Sequence, residues 1–283
     1  MKHIKYLLLL LLPMLSACIK KADVPAYIHI DRIGIVTDQL KEGSAVTGVT
    51  DVWVYMDNNL QGVYELPTDF PVIGSGKHNF RFLGGIKRNG QANDRGAYHL
   101  FVPIDTSLTL VPDQKQTLIL LNHYDTAIKF VWKEDFENSS HTFRKTGKCT
   151  LDTLYRLNGG GAWGGGYSAM DTLRKLDIME YASTDAYTLP GNGVETYIEF
   201  SYKSDLPVEV GFFQASTAGV EQYPVIIANS STEWKHLYLH ITEDVGAQIL
   251  KRGASIFKPY MYASNASDTA KLVWIDNLKL IHR

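Results

Sequence analysis

The sequence has few cysteines, almost no excess charge and none of the short motifs that mark common catalytic centres. Only two cysteines, Cys18 and Cys149, occur among 283 residues, and no metal-binding motif uses them. The formal net charge is −2, and no basic block follows Lys20-Lys21, so nucleic acid is not an expected partner. Gly-x-Ser-x-Gly, His-Glu-x-x-His, a Walker loop and Cys-x-x-Cys are all missing. We therefore predict no catalytic residues, no enzyme activity and no required cofactor.

Two further residue pairs could suggest a metal site or a catalytic centre, but neither is favoured. His236 and His240 share one face of a predicted strand, but four residues at about 3.3 Å rise place them about 13 Å apart. That separation is too long for a shared metal ion. A pair of glycosidase carboxylates would leave no fixed spacing in the sequence. Such a pair is an unfavoured interpretation, because the alternating strand pattern of both halves of the chain predicts two small β-sandwiches.

The first eighteen residues have the order of an export signal. Lys2 and Lys5 precede a leucine-rich run, Tyr6–Met14, that is too short to span a bilayer. Leu15-Ser16-Ala17-Cys18 follows directly. This order resembles the lipobox of bacterial lipoproteins, which implies cleavage after residue 17 and lipid on Cys18. The alternative is an ordinary cleaved signal peptide followed by an incidental cysteine.

The resemblance implies a Bacteroidetes-type lipoprotein of the outer membrane, held by palmitate-like acyl chains through a linker at 18–26. Some of these lipoproteins carry an acidic run after the cysteine that directs them to the cell surface, whereas here only Asp23 is acidic. The periplasmic and the cell-surface face therefore both stay open. With Cys18 lipidated, Cys149 has no disulfide partner, and we expect it to be a buried small hydrophobe.

Alternation of apolar and polar residues with a period of two predicts strands through the first half of the chain. Val52, Val54 and Met56 fall on one face, as do Phe80 and Phe82. Asp57-Asn58-Asn59 tolerates the positive φ of a tight hairpin. The predicted strands of this half cover 27–31, 50–56, 60–66, 78–82, 98–103, 107–110 and 116–122.

The segments Val54–Leu66 and Gly74–Phe80 form a hairpin, a glycine-rich turn and a strand in that order. Over about residues 49–83 this order resembles small Ig-like surface domains of the PEGA kind. The resemblance implies an Ig-like β-sandwich at 27–126 that acts as a spacer or docking surface. Lys87–Arg95 departs from the pattern as a polar loop, which is either a solvated turn or a contact with a partner.

The second half also reads as strands separated by turn residues, with one short helix predicted over Ser168–Ile178. Such spacing is typical of a β-sandwich. The predicted strands of this half cover 195–203, 208–214, 235–242, 255–263 and 271–281.

Three ordered segments carry a second resemblance: Glu134–Glu137, Thr232–Leu239 and Val273–Leu280. They are similar to the opening, middle and closing strands of carbohydrate-binding modules and galactose-binding-like domains. The resemblance implies a jelly-roll β-sandwich at 127–283. The sequence therefore predicts an all-β protein with an Ig-like sandwich followed by a jelly roll.

The same resemblance implies a structural calcium ion where the opening segment meets the last strand. Its ligands would be Asp135, Glu137 and Asp276, because calcium takes six to eight oxygen ligands. The alternative is that Asp276 caps a strand and Asp135 is solvated.

Trp163 and Tyr167 lie in a run with six glycines, Asn158–Tyr167. The indole either stands on a flexible loop and binds a ligand together with Tyr167, or is a plug over which backbone packs closely. These two interpretations stay open. Trp234 and Trp274 fall within predicted strands and are expected in the core.

Two functions remain. The first is a non-catalytic lipoprotein that serves as accessory subunit or docking module of an outer-membrane assembly, export or uptake complex, with a β-barrel protein as partner. The alternative is a surface lipoprotein that binds glycan for polysaccharide capture. The PEGA-like spacer and the lack of a clear aromatic platform favour the first, and Trp163 favours the second.

Overall fold

The computed structural model describes residues 23–159 and 162–283. These residues form two successive β-sandwiches built from nineteen strands, with two helices, so the predicted all-β class is confirmed. The PEGA-like and jelly-roll assignments stay predictions. The predicted signal sequence, Cys18 and glycines 160 and 161 lie outside the described residues. Within the described part of the chain no helix is long and apolar enough to cross a membrane.

The N-terminal sandwich packs a three-stranded sheet, ordered β4-β1-β8, against a sheet ordered β3-β2-β5 in which β6 and β7 both pair with β5. β1 and β8 run parallel, and the other pairs are antiparallel. Its elements are β1 (Ala26–Ile35), α1 (Gln39–Glu42), β2 (Asp51–Met56), β3 (Asn59–Glu65), β4 (Thr68–Val72), β5 (Gly76–Lys87), β6 (Arg95–Ala97), β7 (Ile104–Leu110) and β8 (Lys115–Asn122).

The core of this sandwich is filled by side chains from every second residue of its strands. Val52 and Val54 of β2 are fully buried, and Phe80 and Phe82 of β5 pack beside them, as the alternation predicts. Met56 lies at the edge of the same cluster. The hairpin between β2 and β3 turns through Asp57 and Asn58, whose φ values are 50° and 66°, in agreement with the turn chemistry of the sequence.

The C-terminal sandwich packs a five-stranded sheet, ordered β10-β13-β18-β15-β16, against a sheet ordered β11-β12-β19-β14-β17, with β9 also paired to β19. Its elements are β9 (Lys129–Glu134), β10 (Phe143–Lys145), β11 (Tyr155–Asn158), β12 (Tyr167–Leu173), β13 (Ile178–Ser183), β14 (Thr196–Ser204), β15 (Val208–Ser216), β16 (Gly219–Ala228), β17 (Ser231–His240), α2 (Thr242–Arg252), β18 (Ile256–Ser264) and β19 (Lys271–His282).

The predicted helix at 168–178 is wrong. This segment contains most of β12 and the turn that leads into β13. Ala169, Asp171 and Leu173 are buried in alternation, the period of a strand rather than of a helix. The longer of the two helices among the described residues is α2, which buries Val245 and ends at Gly253 with φ of 64°.

The predicted strand at 98–103 is also wrong, because this segment forms turns between β6 and β7. Its aromatic residues belong to a third apolar cluster that joins the two sandwiches. The buried members of this junction cluster are Ile35, Ile86, Tyr98, Leu100, Phe101, Tyr124, Ile128, Tyr197, Tyr238 and Ile281.

The polar loop at 87–95 lies at the same junction. The Asn89 amide N–H donates to the Tyr238 carbonyl (2.9 Å), and the His240 amide N–H donates to Asn89 Oδ1 (2.9 Å). Arg88 forms a parallel bridge with Tyr238. The loop therefore pairs with β17, the edge strand of its sheet in the second sandwich. This corrects its interpretation as a free solvated turn.

Candidate functional site

The backbone of Trp163 is fixed to the last strand. Its N–H donates to Asp276 Oδ2 (3.2 Å), and Asn277 Nδ2 donates to its carbonyl oxygen (2.7 Å). Asn277 adopts φ of 52° within β19. Both hydrogen bonds use main-chain atoms of Trp163. They therefore fix the position of residue 163 whatever its side chain is.

The glycines after Trp163 pack closely against the segment that follows α1. Gly164 has φ of +81°, and a Cβ built there would lie 2.1 Å from Val46 Cγ2. A Cβ on Gly165 would lie 2.1 Å from Glu137 Oε1. The glycine backbone of this run therefore lies where side chains would collide with Val46 and Glu137.

The indole itself is half-buried and stacks on Trp234, with ring centroids 5.9 Å apart and an interplanar angle of 22°. Trp234 precedes two buried residues of β17, His236 and Tyr238, that face the N-terminal sandwich. The expectation that Trp234 and Trp274 lie in the core is wrong, since both are half-buried and outside the core clusters. Lys203 Nζ lies 5.2 Å from the Trp274 ring centroid.

The two stacked tryptophans line a cleft of ≈ 420 Å³ between the sandwiches, which we call the junction cleft. Its walls come from both halves of the chain, and no acidic side chain lines it. The lining residues are Thr47, Gly48, Val49, Thr50, Lys87, Gly90, Ala92, Trp163, Trp234, Lys235, His236, Leu237 and Tyr238.

Two further clefts adjoin this site. A cleft of ≈ 370 Å³ shares Gly90, Lys235 and Leu237 with the junction cleft. On the other side, a mainly apolar cleft of ≈ 580 Å³ shares Trp163 and runs along the ends of β1 and β8. Trp163 therefore lines two clefts, one with Lys87 and Lys235 in its wall and the other with Arg32.

Tyr167 lines none of these clefts. It begins β12, and the Arg156 guanidinium carbon lies 3.1 Å from the centroid of its ring. Hydrogen bonds from Asn158 and Arg156 lower the pKa of its phenol. Arg156 thus covers the ring face that the sequence-based hypothesis offers to a ligand, and the structure does not place Tyr167 beside Trp163 in one cleft.

The three predicted calcium ligands lie in one neighbourhood, beneath the glycine loop. Asp276 is 1 % exposed and Asp135 is 6 % exposed, so the alternative of a solvated Asp135 is wrong. Burial raises the pKa of Asp276 to about 8, and the nearby charges of Glu137 and Asp135 add to this rise.

Protein donors already occupy the oxygens of these groups. Besides Trp163, the Asn277 N–H donates to Asp276 (2.7 Å). Glu137 Oε1 accepts from the N–H groups of Gly166 and Tyr167 at 2.8 and 3.0 Å.

Cationic side chains complete this neighbourhood. Lys133 Nζ lies 3.4 Å from Asp135, and Arg156 donates to the carbonyl oxygens of Phe136 and Glu137. Across residues 23–159 and 162–283, no three His, Cys, Asp or Glu side chains converge as a metal site. As arranged here the residues do not fit a calcium ion, and calcium binding stays a prediction of the sequence.

A buried polar network lies beneath the junction cleft, and no motif in the sequence predicts it. Glu199 of β14 accepts hydrogen bonds from the hydroxyls of Tyr98 and Tyr124, the latter at 2.6 Å. Lys279 Nζ lies 3.7 Å from Glu199 and donates to Tyr124 (3.0 Å). Burial alone would raise the pKa of Glu199, but the Lys279 charge, the nearby His236 ring and the Tyr124 hydroxyl donor lower it to about 2.

Ser201, His236 and Glu199 form a row that by its distances is similar to a Ser-His-acid group. The Ser201 hydroxyl lies 2.9 Å from His236 Nδ1, and His236 Nε2 lies 3.6 Å from Glu199. Ser201 is fully buried and the His236 side chain is 1 % exposed. A nucleophile must approach its substrate directly, and the fully buried Ser201 hydroxyl does not; the contacts of this row join β14 to β17 within the second sandwich. The two-residue alternation of β17 could have indicated that His236 faces inward.

No protein-family model matches the sequence, and no curated protein matches it. Solved structures do resemble the fold. One is described as "Structural basis for the promiscuous specificity of the carbohydrate-binding modules from the beta-sandwich super family" (TM-score 0.41, 10 % identity, covering 84 % of this chain and 86 % of that chain). Another is a "Xylan-Binding Domain from CBM 22" (TM-score 0.36, 12 % identity, 55 % and 96 %).

A third is the C-terminal family 22 carbohydrate-binding module of Clostridium thermocellum Xyn10B (TM-score 0.35, 12 % identity, covering 53 % and 92 % of the two chains). At these identities and TM-scores the likeness carries neither ligand nor function to this chain. The protein is thus an all-β chain of two joined sandwiches, with structural neighbours among carbohydrate-binding β-sandwiches.

Proposed function

We propose that this protein is a non-catalytic glycan-binding protein whose site is the junction cleft. The observation that carries the proposal is the stacked pair Trp163–Trp234 on the wall of a cleft of ≈ 420 Å³. An indole gives a large, rigid apolar face at low cost in conformational entropy. The apolar face of a pyranose ring is a matching partner, and concave sites with a few polar groups are typical of small-ligand binding.

The polar groups of the cleft suit such a ligand. Thr47, Thr50 and Lys87 come from the first sandwich, and Lys235 comes from β17 of the second. The Thr50 hydroxyl donates to Asp51 (2.9 Å) and the Thr47 hydroxyl bonds to Tyr238 (3.1 Å). Their oxygens can therefore accept hydrogen bonds from sugar hydroxyls, while the ammonium groups donate to sugar oxygens. Because both sandwiches contribute, the firm junction between them supports a preformed site, which lowers the entropy lost on binding.

Lipidation of Cys18 would place this cleft at an outer membrane, with the first sandwich next to the lipid. We include this anchor in the proposal on the strength of the lipobox-like order at residues 15–18. The acyl chains of a lipoprotein make a durable tether, at about 0.8 kcal/mol per buried methylene. The proposed role is polysaccharide capture at that membrane.

The test is a glycan array followed by titration calorimetry on the soluble chain. Trp234→Ala should lower affinity for the captured glycan at least tenfold. Trp274→Ala is the matched control, because Trp274 is half-buried in the same sandwich and lines none of the described clefts. Equal losses in both variants, or no glycan binding by the parent protein, would contradict the proposal.

A second function, accessory subunit or docking module of an outer-membrane complex, is favoured by one apolar surface. Ile119 of β8 is 88 % exposed and Leu121 is 46 % exposed, and both line the cleft of ≈ 580 Å³. β8 is an edge strand, and exposed apolar edges are sites for pairing with another strand.

The occupant in this case is a strand of a β-barrel partner. A stoichiometric barrel protein that co-purifies with the lipidated chain, and is lost in Ile119→Lys but kept in Thr117→Lys, would make this function primary. Recovery of the protein without a partner from gently solubilised membranes would contradict the docking function and favour glycan binding.

A further inference from the structure

We infer that the preferred ligand is an acidic polysaccharide, bearing carboxylate or sulfate groups, that lies along a groove with Lys235 at its middle. This inference rests on the proposed function and names the substrate class of the same site. It starts from the continuity of two clefts. The junction cleft and the cleft of ≈ 370 Å³ meet at Gly90, Lys235 and Leu237, so a chain that enters beside the tryptophans can continue past Lys235.

The charged side chains that line the combined groove are all cationic. Neither cleft is lined by Asp or Glu, whereas Lys87 and Lys235 both line it. Lys87 is partly neutralised, because its Nζ lies 3.5 Å from Glu65. Lys235 is exposed and makes no ion pair with any described residue, which leaves its ammonium group available to an anion.

The far end of the groove offers amides rather than charges. Gln91 and Asn229 line it together with Tyr202, whose hydroxyl donates to the Asn229 carbonyl oxygen (2.8 Å). Amide side chains donate and accept hydrogen bonds with sugar hydroxyls. Along its length the groove therefore presents the stacked tryptophans, then the Lys235 ammonium group, then the amide side chains. This order fits several consecutive sugars of one polysaccharide chain.

Neutral glycans would leave the Lys235 charge unused, whereas an anionic chain would gain a charge-assisted hydrogen bond. Such a bond at a partly exposed position is expected to change affinity by roughly five- to tenfold. It should also weaken as ionic strength rises, because salt screens exposed charges. Neutral stacking on Trp163 and Trp234 has no such salt dependence.

The experiment compares polygalacturonate and dextran sulfate with neutral galactan and xylan, by affinity electrophoresis and calorimetry at low and high salt. The inference expects the acidic polymers to bind at least fivefold more tightly at low salt. Lys235→Gln should remove that preference, and Lys235→Arg should retain it. Lys77→Gln is the matched control, because Lys77 is exposed on β5 and lines neither cleft.

The outcomes separate this inference from the proposed function. Neutral and acidic polymers that bind equally, in a manner that Trp234→Ala abolishes, would overturn the acidic preference and keep the glycan site. An acidic preference that Lys235→Gln leaves unchanged would also overturn the inference. Binding of none of the four polymers, together with an array negative for other glycans, would overturn the proposed function itself.

Discussion

The hydroxyl of Tyr98 donates a hydrogen bond to the carboxylate of Glu199, a residue 101 positions later in the chain and in the other sandwich. Both side chains are buried, and Lys279 lies 3.7 Å from the same carboxylate. A charged group with no access to water is tolerated only when partners of this kind surround it. The junction between the sandwiches is therefore specified by polar chemistry as well as by its apolar cluster.

Lys279→Met should destabilise the protein strongly, because it leaves Glu199 buried without its counter-charge. We expect a loss of about 3–5 kcal/mol in the free energy of unfolding, measured by urea denaturation. Asp105→Asn is the control, since it breaks an exposed pair with Arg81 that is worth at most about 1 kcal/mol. Similar losses in the two variants would show that the network does not act as a buried unit.

Gly164→Ala should destabilise the loop that carries Trp163. The residue has φ of +81°, and its Cβ would collide with Val46, so the loss should exceed about 1 kcal/mol. Gly147→Ala is the matched control, because a Cβ there meets nothing within 4 Å and its φ is not positive. Thermal melting of the two variants checks the prediction, and a Gly164→Ala melting point equal to that of the control would contradict it.

Asp276 should make stability depend on pH in the absence of added metal. Its pKa is about 8 in the folded protein against 3.8 for a free aspartate, so the folded state binds the proton more tightly. The resulting stability is complete below about pH 3.8 and is lost as pH rises through 8. Between pH 5 and 8 the loss should be on the order of a few kcal/mol.

Asp276→Asn isolates this contribution. Burial raises the pKa of Asp171 to about 7 and lowers that of His236, but both groups are common to the two proteins. The difference in unfolding free energy between them, followed from pH 5 to 8 in EDTA, should therefore report Asp276. Parallel profiles for the two proteins would rule out the assignment.

Calcium provides a separate test of the sequence-derived ligand set Asp135, Glu137 and Asp276. If the ion binds, it should raise the melting temperature in proportion to the logarithm of its concentration, and EDTA should reverse the rise. Asp276→Asn should abolish the effect. A midpoint that neither calcium nor EDTA moves would show that backbone N–H donors and Lys133 alone satisfy these carboxylates.

The local residue pattern predicts the structure correctly where a strand packs against the core of its own sandwich. The alternation at Val52–Met56, the hairpin at Asp57-Asn58 and the burial of Phe80 and Phe82 all follow from residue periodicity and turn chemistry. It failed at 168–178, because a buried Asp171 interrupts the apolar alternation of β12 and hides its period. It also missed α2, whose first turn follows β17 without a side-chain cap.

The candidate site could be predicted only in part. The glycine run marked Trp163, since few side chains surround it, but nothing in the local sequence paired it with Trp234, 71 positions away. Trp234 falls within a strand and was therefore assigned to the core. It is half-buried because it lies on the face of β17 that carries His236 and Tyr238 and points to the other sandwich, whereas Leu239 on the opposite face enters the core.

The sequence by itself determined the all-β class and the faces of the first sandwich's strands, since each depends on neighbouring residues. The export signal ending at Cys18 stays a prediction of the sequence. The tertiary structure alone decided which polar groups became buried partners and which aromatic rings share a cleft. Those outcomes depend on contacts between residues far apart in the chain, such as Tyr98 with Glu199 and Asn89 with Tyr238. Periodicity within one strand carries no information about the sheet that will cover it.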